Sequence, residues 1–194
     1  MLVLAILLVL LQQGCASNKR NVASSTLKIE PRSSWNATQP RPFRSHTAMR
    51  ITVHHEGTKL GLNDDAAKKI SNIQKWGMGP EKKWADVPYH FFIAPGGTIY
   101  EGRNPSTVGE TSTEYDPTGH LLICCLGNLD VDTVPAAQLQ SLVQLIHYAS
   151  KQFNIPLDSL RTHKDFSALT ICPGKNLSGY FENGWIKKEL LKLK

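Results

Sequence analysis

His163 and Cys172 stand with eight residues between them in the stretch from Thr162 to Gly174, THKDFSALTICPG, which Pro173-Gly174 closes. Imidazole and thiolate both ligate borderline-soft divalent ions, and a loop of this length can bring the two onto one ion. Spacing alone does not require it, because compact zinc motifs use shorter gaps. A third ligand would come from elsewhere in the chain. His54 ends the β-rich run Arg50 to His54, where a strand presents its side chains rigidly. On composition alone the plainer reading of these residues is surface or core histidines. The other cysteines sharpen the choice. Cys124 and Cys125 are adjacent in an apolar run, point to opposite faces of a strand and read as small buried hydrophobes. Cys172 is then left without an evident disulfide partner, and in an exported chain metal ligation is a good reason for that.

Export is indicated by the first residues. Met1 to Leu11 is an uncharged apolar run of eleven, short of the ~17–25 residues a membrane-spanning helix needs but matched to the core of a signal peptide. Gly14-Cys15 after it looks like the lipidation box of a bacterial lipoprotein, although Gln12 stands where such boxes carry Leu. The expected organisation is a signal peptide over 1–15 with Cys15 as lipidation site, a polar tether over 16–26, and one domain over 27–194. The protein is thus expected in the bacterial cell envelope on a lipid anchor, or alternatively secreted.

Composition bounds the rest. Of 194 residues, 41% are apolar and 20% charged, ordinary usage for a globular domain, which excludes collagen-like, disordered and coiled-coil chains. A polytopic membrane protein is excluded because only one long apolar run exists. With 22 Lys+Arg against 16 Asp+Glu, the net charge of +6 is mild. It demands no nucleic acid and permits an anionic partner.

The elements that must position the candidate ligands follow from pattern. Arg50 to His54 and His120 to Leu126 read as interior strands. Tyr89 to Ala94 and Thr98 to Glu101 flank Pro95-Gly96-Gly97 and read as a hairpin. Asp64 to Trp76 has helical spacing, with Ala67, Ile70, Ile73 and Trp76 on one stripe and Asn63 or Asp64 as cap. Pro135 to Phe153 is the longest helix candidate, with Pro135 near its first position. Arg161 to Ser178 reads as loop, and a last short helix is expected near Phe181 to Leu193. Four strands interleaved with two or three helices give an α/β or mixed α+β domain, a sheet covered by helices.

In order along the chain, five segments resemble the zinc-dependent N-acetylmuramoyl-L-alanine amidase and peptidoglycan recognition protein family. They are Pro31 to Ala37 (PRSSWNA), Ile51 to His55 (ITVHH), Trp84 to Arg103, Gly119 to Asp130 (GHLLICCLGNLD) and Thr162 to Gly174. The resemblance implies a central mixed β-sheet flanked by helices, with a groove holding one Zn²⁺. It places the metal ligands at His54, His163 and Cys172, a catalytic tyrosine at Tyr89, and Thr170 at a second catalytic position near the metal.

The implied activity is hydrolysis of the amide between N-acetylmuramic acid and L-alanine by a metal-activated water, on peptidoglycan or muropeptides, by a monomer. A non-catalytic peptidoglycan-binding module is the alternative, but such relatives typically lose the cysteine ligand that this chain keeps. Some branches carry a catalytic Glu where Cys124 stands. Glu56 could substitute as a base, although a solvated loop acid is the plainer reading, and His55 and His120 read as structural. Arg103 could hold an acidic group of the stem peptide or pair with a core carboxylate. Trp35 and Trp76 read as packing residues rather than sugar platforms. A generic zinc peptidase lacks support, since no His-Glu-x-x-His run is present.

Overall fold

The computed structural model describes residues 27–193; the signal peptide, Cys15 and the tether expected from the sequence lie outside the described residues. Six short strands form one mixed sheet in the order β1-β4-β3-β5-β2-β6. They are β1 (Ile29–Glu30), β2 (Arg50–His55), β3 (Phe91–Ile93), β4 (Ile99–Glu101), β5 (His120–Cys125) and β6 (Arg161–Thr162). β5 is central and runs parallel to both β2 and β3, while β3 and β4 make the expected antiparallel hairpin. Strands buried on both faces read as unbroken apolar runs, which is why β5 was legible.

The two faces are covered unequally. On one, Ile51, Val53, Leu121, Ile123 and Cys125 pack beneath three helices, α2 (Ala136–Gln152), α3 (Lys175–Glu182) and α4 (Trp185–Leu191). On the other, Phe92, Cys124 and Leu126 meet Trp35 and α1 (Ala66–Gly77). The adjacent Cys124 and Cys125 thus enter separate cores, as alternation on a strand requires. Because α1 covers only part of its face, the carboxyl end of β2 opens into a groove. That is where ligands bind in open sheets of this kind.

The helices depart from expectation in instructive ways. Asp65, not Asn63 or Asp64, caps α1 by accepting from the Lys68 backbone N–H at 2.9 Å; Asp64 instead accepts from Gly61 N–H. The inward stripe of α1 is Ala66, Ile70, Gln74 and Gly77, which turns Trp76 outward. Gln74 is buried because its amide is fully used, donating to Asp86 Oδ1 at 2.6 Å and to Thr38 O at 3.1 Å. Pro135 precedes α2 as its N-cap rather than opening it. The last helix is two helices, broken at Asn183-Gly184, where Gly184 adopts φ +75°. The expected loop from Arg161 to Ser178 contains β6, a 3-10 turn at His163–Asp165 and the first half of α3. Among the described residues no helix is long and apolar enough to cross a membrane.

Candidate active site

His54 reaches the groove because β2 alternates its side chains, and the sheet register sets it opposite Cys124. His163 follows β6 directly, held by a capping box in which the Asp165 carboxylate accepts from Thr162 N–H at 2.7 Å and from its hydroxyl at 2.8 Å. Cys172 is brought beside His163 by a backbone bond, Lys164 N–H to Cys172 O at 2.9 Å, which closes the intervening loop. Gly174 then passes so close to Leu129 and Asp130 that a Cβ there would collide with their backbone. The ligand-capable atoms of His54, His163 and Cys172 all lie within 4.8 Å of one another, and all three residues are buried. Among the described residues this is the one group of three or more His, Cys, Asp or Glu side chains so disposed.

Two imidazoles and a thiol are a donor set that Zn²⁺ takes. Around Zn²⁺, with N at about 2.0–2.1 Å and S at about 2.3 Å, neighbouring ligand atoms sit about 3.4–3.6 Å apart. Cys172 Sγ lies 3.7 Å from His54 Nδ1. Burial holds His54 well below the ordinary imidazole pKa, with the neighbouring His163 adding to the effect. Burial likewise brings His163 down to about 4, against the opposing pull of Glu114. Both imidazoles are therefore neutral at physiological pH, the form that ligates. Burial pushes the Cys172 thiol up to about 12, opposed by a backbone N–H from His55. The sulfur thus sheds its proton only when a cation compensates the buried charge.

Tyr89 stands beside the triad, its ring centroid 5.0 Å from that of His54 and edge-on to Phe92 at 5.6 Å. Gly102 permits this, since a Cβ there would strike the Tyr89 carbonyl. Burial, reinforced by Cys124, raises the Tyr89 phenol well above its ordinary pKa, so it keeps its proton as a hydrogen-bond donor. Thr170 lines the groove, and its hydroxyl accepts from Cys172 N–H at 3.1 Å. The groove encloses about 300 Å³.

Several sequence expectations are revised here. Arg103 does not face the groove. The residue is 2% exposed, and its guanidinium donates to Val87 O at 2.8 Å and to Val108 O at 2.5 Å and pairs with the Glu110 carboxylate. Glu110 in turn accepts from Ala85 N–H at 2.9 Å. Arg103 therefore clamps the segment that leads into Tyr89, and its assignment to substrate is replaced by the core-carboxylate pairing. Arg103→Met is expected to destabilise the fold by about 3–5 kcal/mol, because it strands a largely buried carboxylate. Denaturant unfolding checks this. A variant of wild-type stability with a raised KM would restore the substrate role.

Trp76 is 51% exposed on the groove rim, touching Trp84 edge-on at 5.3 Å, with Lys82 Nζ 5.0 Å from its ring centre. It is not a core residue. Trp35 is, at 1% exposure, with its indole N–H donating to Glu101 O at 2.7 Å. Glu56 is no free loop acid either: it pairs with Lys69 and accepts from the Thr58 backbone N–H. His120 shares a 2.9 Å hydrogen bond with Thr52 Oγ1, and His55 Nδ1 accepts from Leu129 N–H at 3.2 Å. Sequence reasoning missed Thr113 and Tyr115. The Thr113 hydroxyl lies 2.7 Å from His163 Nε2, and the Tyr115 hydroxyl 3.5 Å from His54 Nε2. Both sit in a loop without apolar periodicity, so no local signal marked them.

Two histidines and a cysteine thus converge under an open groove, on a mixed sheet with helices on both faces. The chain belongs to the N-acetylmuramoyl-L-alanine amidase family, whose model matches residues 44–175. It is 30% identical to the endolysin of Klebsiella phage KP32 over 147 residues, 73% of this chain and 88% of that one. It is 32% identical to a peptidoglycan-recognition protein of Drosophila simulans over 155 residues, 77% of this chain and 83% of that one. Among solved structures it is similar to the N-acetylmuramoyl-L-alanine amidase LysC from Clostridium intestinale URNW, with a TM-score of 0.64 and 30% identity over 78% of this chain and 91% of that chain.

Proposed function

We propose that this protein is a zinc-dependent amidase that hydrolyses the bond between N-acetylmuramic acid and L-alanine in peptidoglycan or its fragments. One observation carries the reading: the buried convergence of His54, His163 and Cys172 beside the phenol of Tyr89. Neutral His54 and His163 with the Cys172 thiolate would hold one Zn²⁺, and three protein ligands leave a fourth position open, as catalytic rather than structural sites do. Bound there, the metal would supply a water of lowered pKa and polarise the scissile carbonyl.

The chain's own residues do the remainder. Tyr89 donates its O–H toward the oxygen on which charge develops, a contact that strengthens as the carbonyl carbon becomes tetrahedral. Thr170 holds the Cys172 backbone, which fixes the third ligand. The rim formed by Trp76, Trp84 and Pro88 gives the groove an apolar wall against which a substrate can lie. Glu56 is committed to Lys69 and Thr58, and the Cys124 thiol is raised well above its ordinary pKa by burial. Glu56 lines the groove but its carboxylate is already engaged, and the Cys124 thiol keeps its proton, so the reading assigns neither as the general base.

Mass analysis of products from defined muropeptides tests the proposal. The expected products are free stem peptide and intact sugar, with turnover lost to a chelator and restored by Zn²⁺. Tight binding of uncut muropeptides by zinc-loaded protein would establish a recognition module instead.

A further inference from the structure

Three consecutive residues of one loop each contact the elements that carry the ligands. Thr113 Oγ1 meets His163 Nε2 at 2.7 Å, and Tyr115 lays its ring 5.0 Å from that of His163 while its hydroxyl lies 3.5 Å from His54 Nε2. Between them, the Glu114 carboxylate accepts the Ser167 hydroxyl at 2.8 Å to either oxygen. A single loop thus bridges both histidines and the segment between His163 and Cys172.

The hydrogen-bond roles follow from valence. A neutral imidazole has one N–H and one lone pair, and whichever nitrogen donates outward leaves the other for a metal. His54 Nδ1 faces Cys172 Sγ, so its Nε2 is the outward nitrogen. His163 Nε2 is engaged by Thr113, which leaves Nδ1 for the ion. For Thr113 to accept that N–H, its own hydroxyl proton needs another acceptor. Thr111 Oγ1 is there at 2.9 Å, itself fixed by Thr113 N–H at 3.2 Å. The chain of donors runs in one direction, from His163 through Thr113 to Thr111.

We propose that Thr113, assisted by Tyr115, is a positioning residue of the metal centre: it holds His163 in the tautomer and orientation that present Nδ1 to the ion. This rests on the metal reading of the triad. Thr113 is only half-buried and lines the groove, so its hydroxyl is turned to the imidazole without being locked into a packed core. Outer hydrogen bonds of this kind commonly govern ligand basicity and metal affinity.

The test uses Zn²⁺ and Co²⁺ alone. In competition with a chromophoric chelator, Thr113→Val is expected to bind Zn²⁺ about 10–100-fold more weakly than wild type. Thr113→Ser, which keeps the hydroxyl, is expected to restore the affinity. Thermal unfolding of the metal-free proteins is expected to be alike, and the Co²⁺ absorption bands of Thr113→Val are expected to shift. Affinity unchanged in Thr113→Val overturns the positioning role while leaving the metal site intact. A loss matched by a fall in metal-free stability marks a merely structural residue and overturns it too. Should Thr113→Val fail to fold, Tyr115→Phe is expected to weaken Zn²⁺ by about 2–10-fold, and unchanged affinity there counts equally against the proposal. A wild-type protein that binds no Zn²⁺ at all overturns the metal reading beneath it.

Discussion

Cys172→Ser is expected to abolish zinc retention and to bring turnover to background while the protein stays folded. Serine is nearly isosteric, and the one backbone donor on the sulfur, His55 N–H at 3.3 Å, suits a hydroxyl oxygen. What is lost is the anionic ligand, because a serine hydroxyl does not ionise where a thiol can. A protein zinc site contributes on the order of 10–16 kcal/mol over its full ligand set, so one ligand of three or four is worth roughly 3–4 kcal/mol, about 10²–10³ in affinity. The wild-type site should also bind more tightly as pH rises, since Cys172 must release a proton to ligate, and the variant should lose most of that dependence. Metal analysis after dialysis and assay on muropeptides check both expectations. A variant that keeps its zinc and its turnover would remove Cys172 from the ligand set.

Tyr89→Phe is expected to behave in the opposite manner, keeping zinc and losing rate. The ring packs against His54 and Phe92, and phenylalanine preserves both contacts. Only the hydroxyl goes, and with it the donor aimed at developing charge. Removal of one such donor typically lowers kcat by about 10²–10³, with little change in KM when the contact forms mainly in the transition state. Steady-state kinetics on zinc-loaded variant check this. Wild-type turnover would show that the triad acts without the phenol and move attention to Thr170. Together the two variants separate holding the metal from using it.

How much of this was readable without coordinates depends on whether the signal was local. β5 was legible because a strand buried on both faces is an uninterrupted apolar run, and α2 because seventeen residues repeat a helical stripe. The break between α3 and α4 was not, since Asn183-Gly184 weighs little against the apolar residues on either side. Spacing alone places Trp76 inward. The true stripe, Ala66, Ile70, Gln74 and Gly77, shares only Ile70 with the expected one, and Gln74 is apolar in no scale. Its burial depends on Asp86 and Thr38, residues distant in sequence. Arg103 shows the same limit: its sequence context suits a substrate carboxylate and a core carboxylate equally, and only the approach of Glu110, Val87 and Val108 decides between them.

The sequence by itself determined the class of the fold, and its ordered motifs singled out His54, His163, Cys172 and Tyr89, because a motif records residue type and order along the chain. It also carries the expectation of export through the apolar run before Cys15. Tertiary structure alone decided that the three candidate ligands converge, since His54 lies more than a hundred positions from the other two and sheet register with one backbone bond supplies the meeting. It alone placed Thr113 and Tyr115 behind the imidazoles and turned Trp76 to the rim. Hydrogen bonds between loops leave no periodicity in a sequence, so the parts that hold a site in place become visible only once the chain has folded.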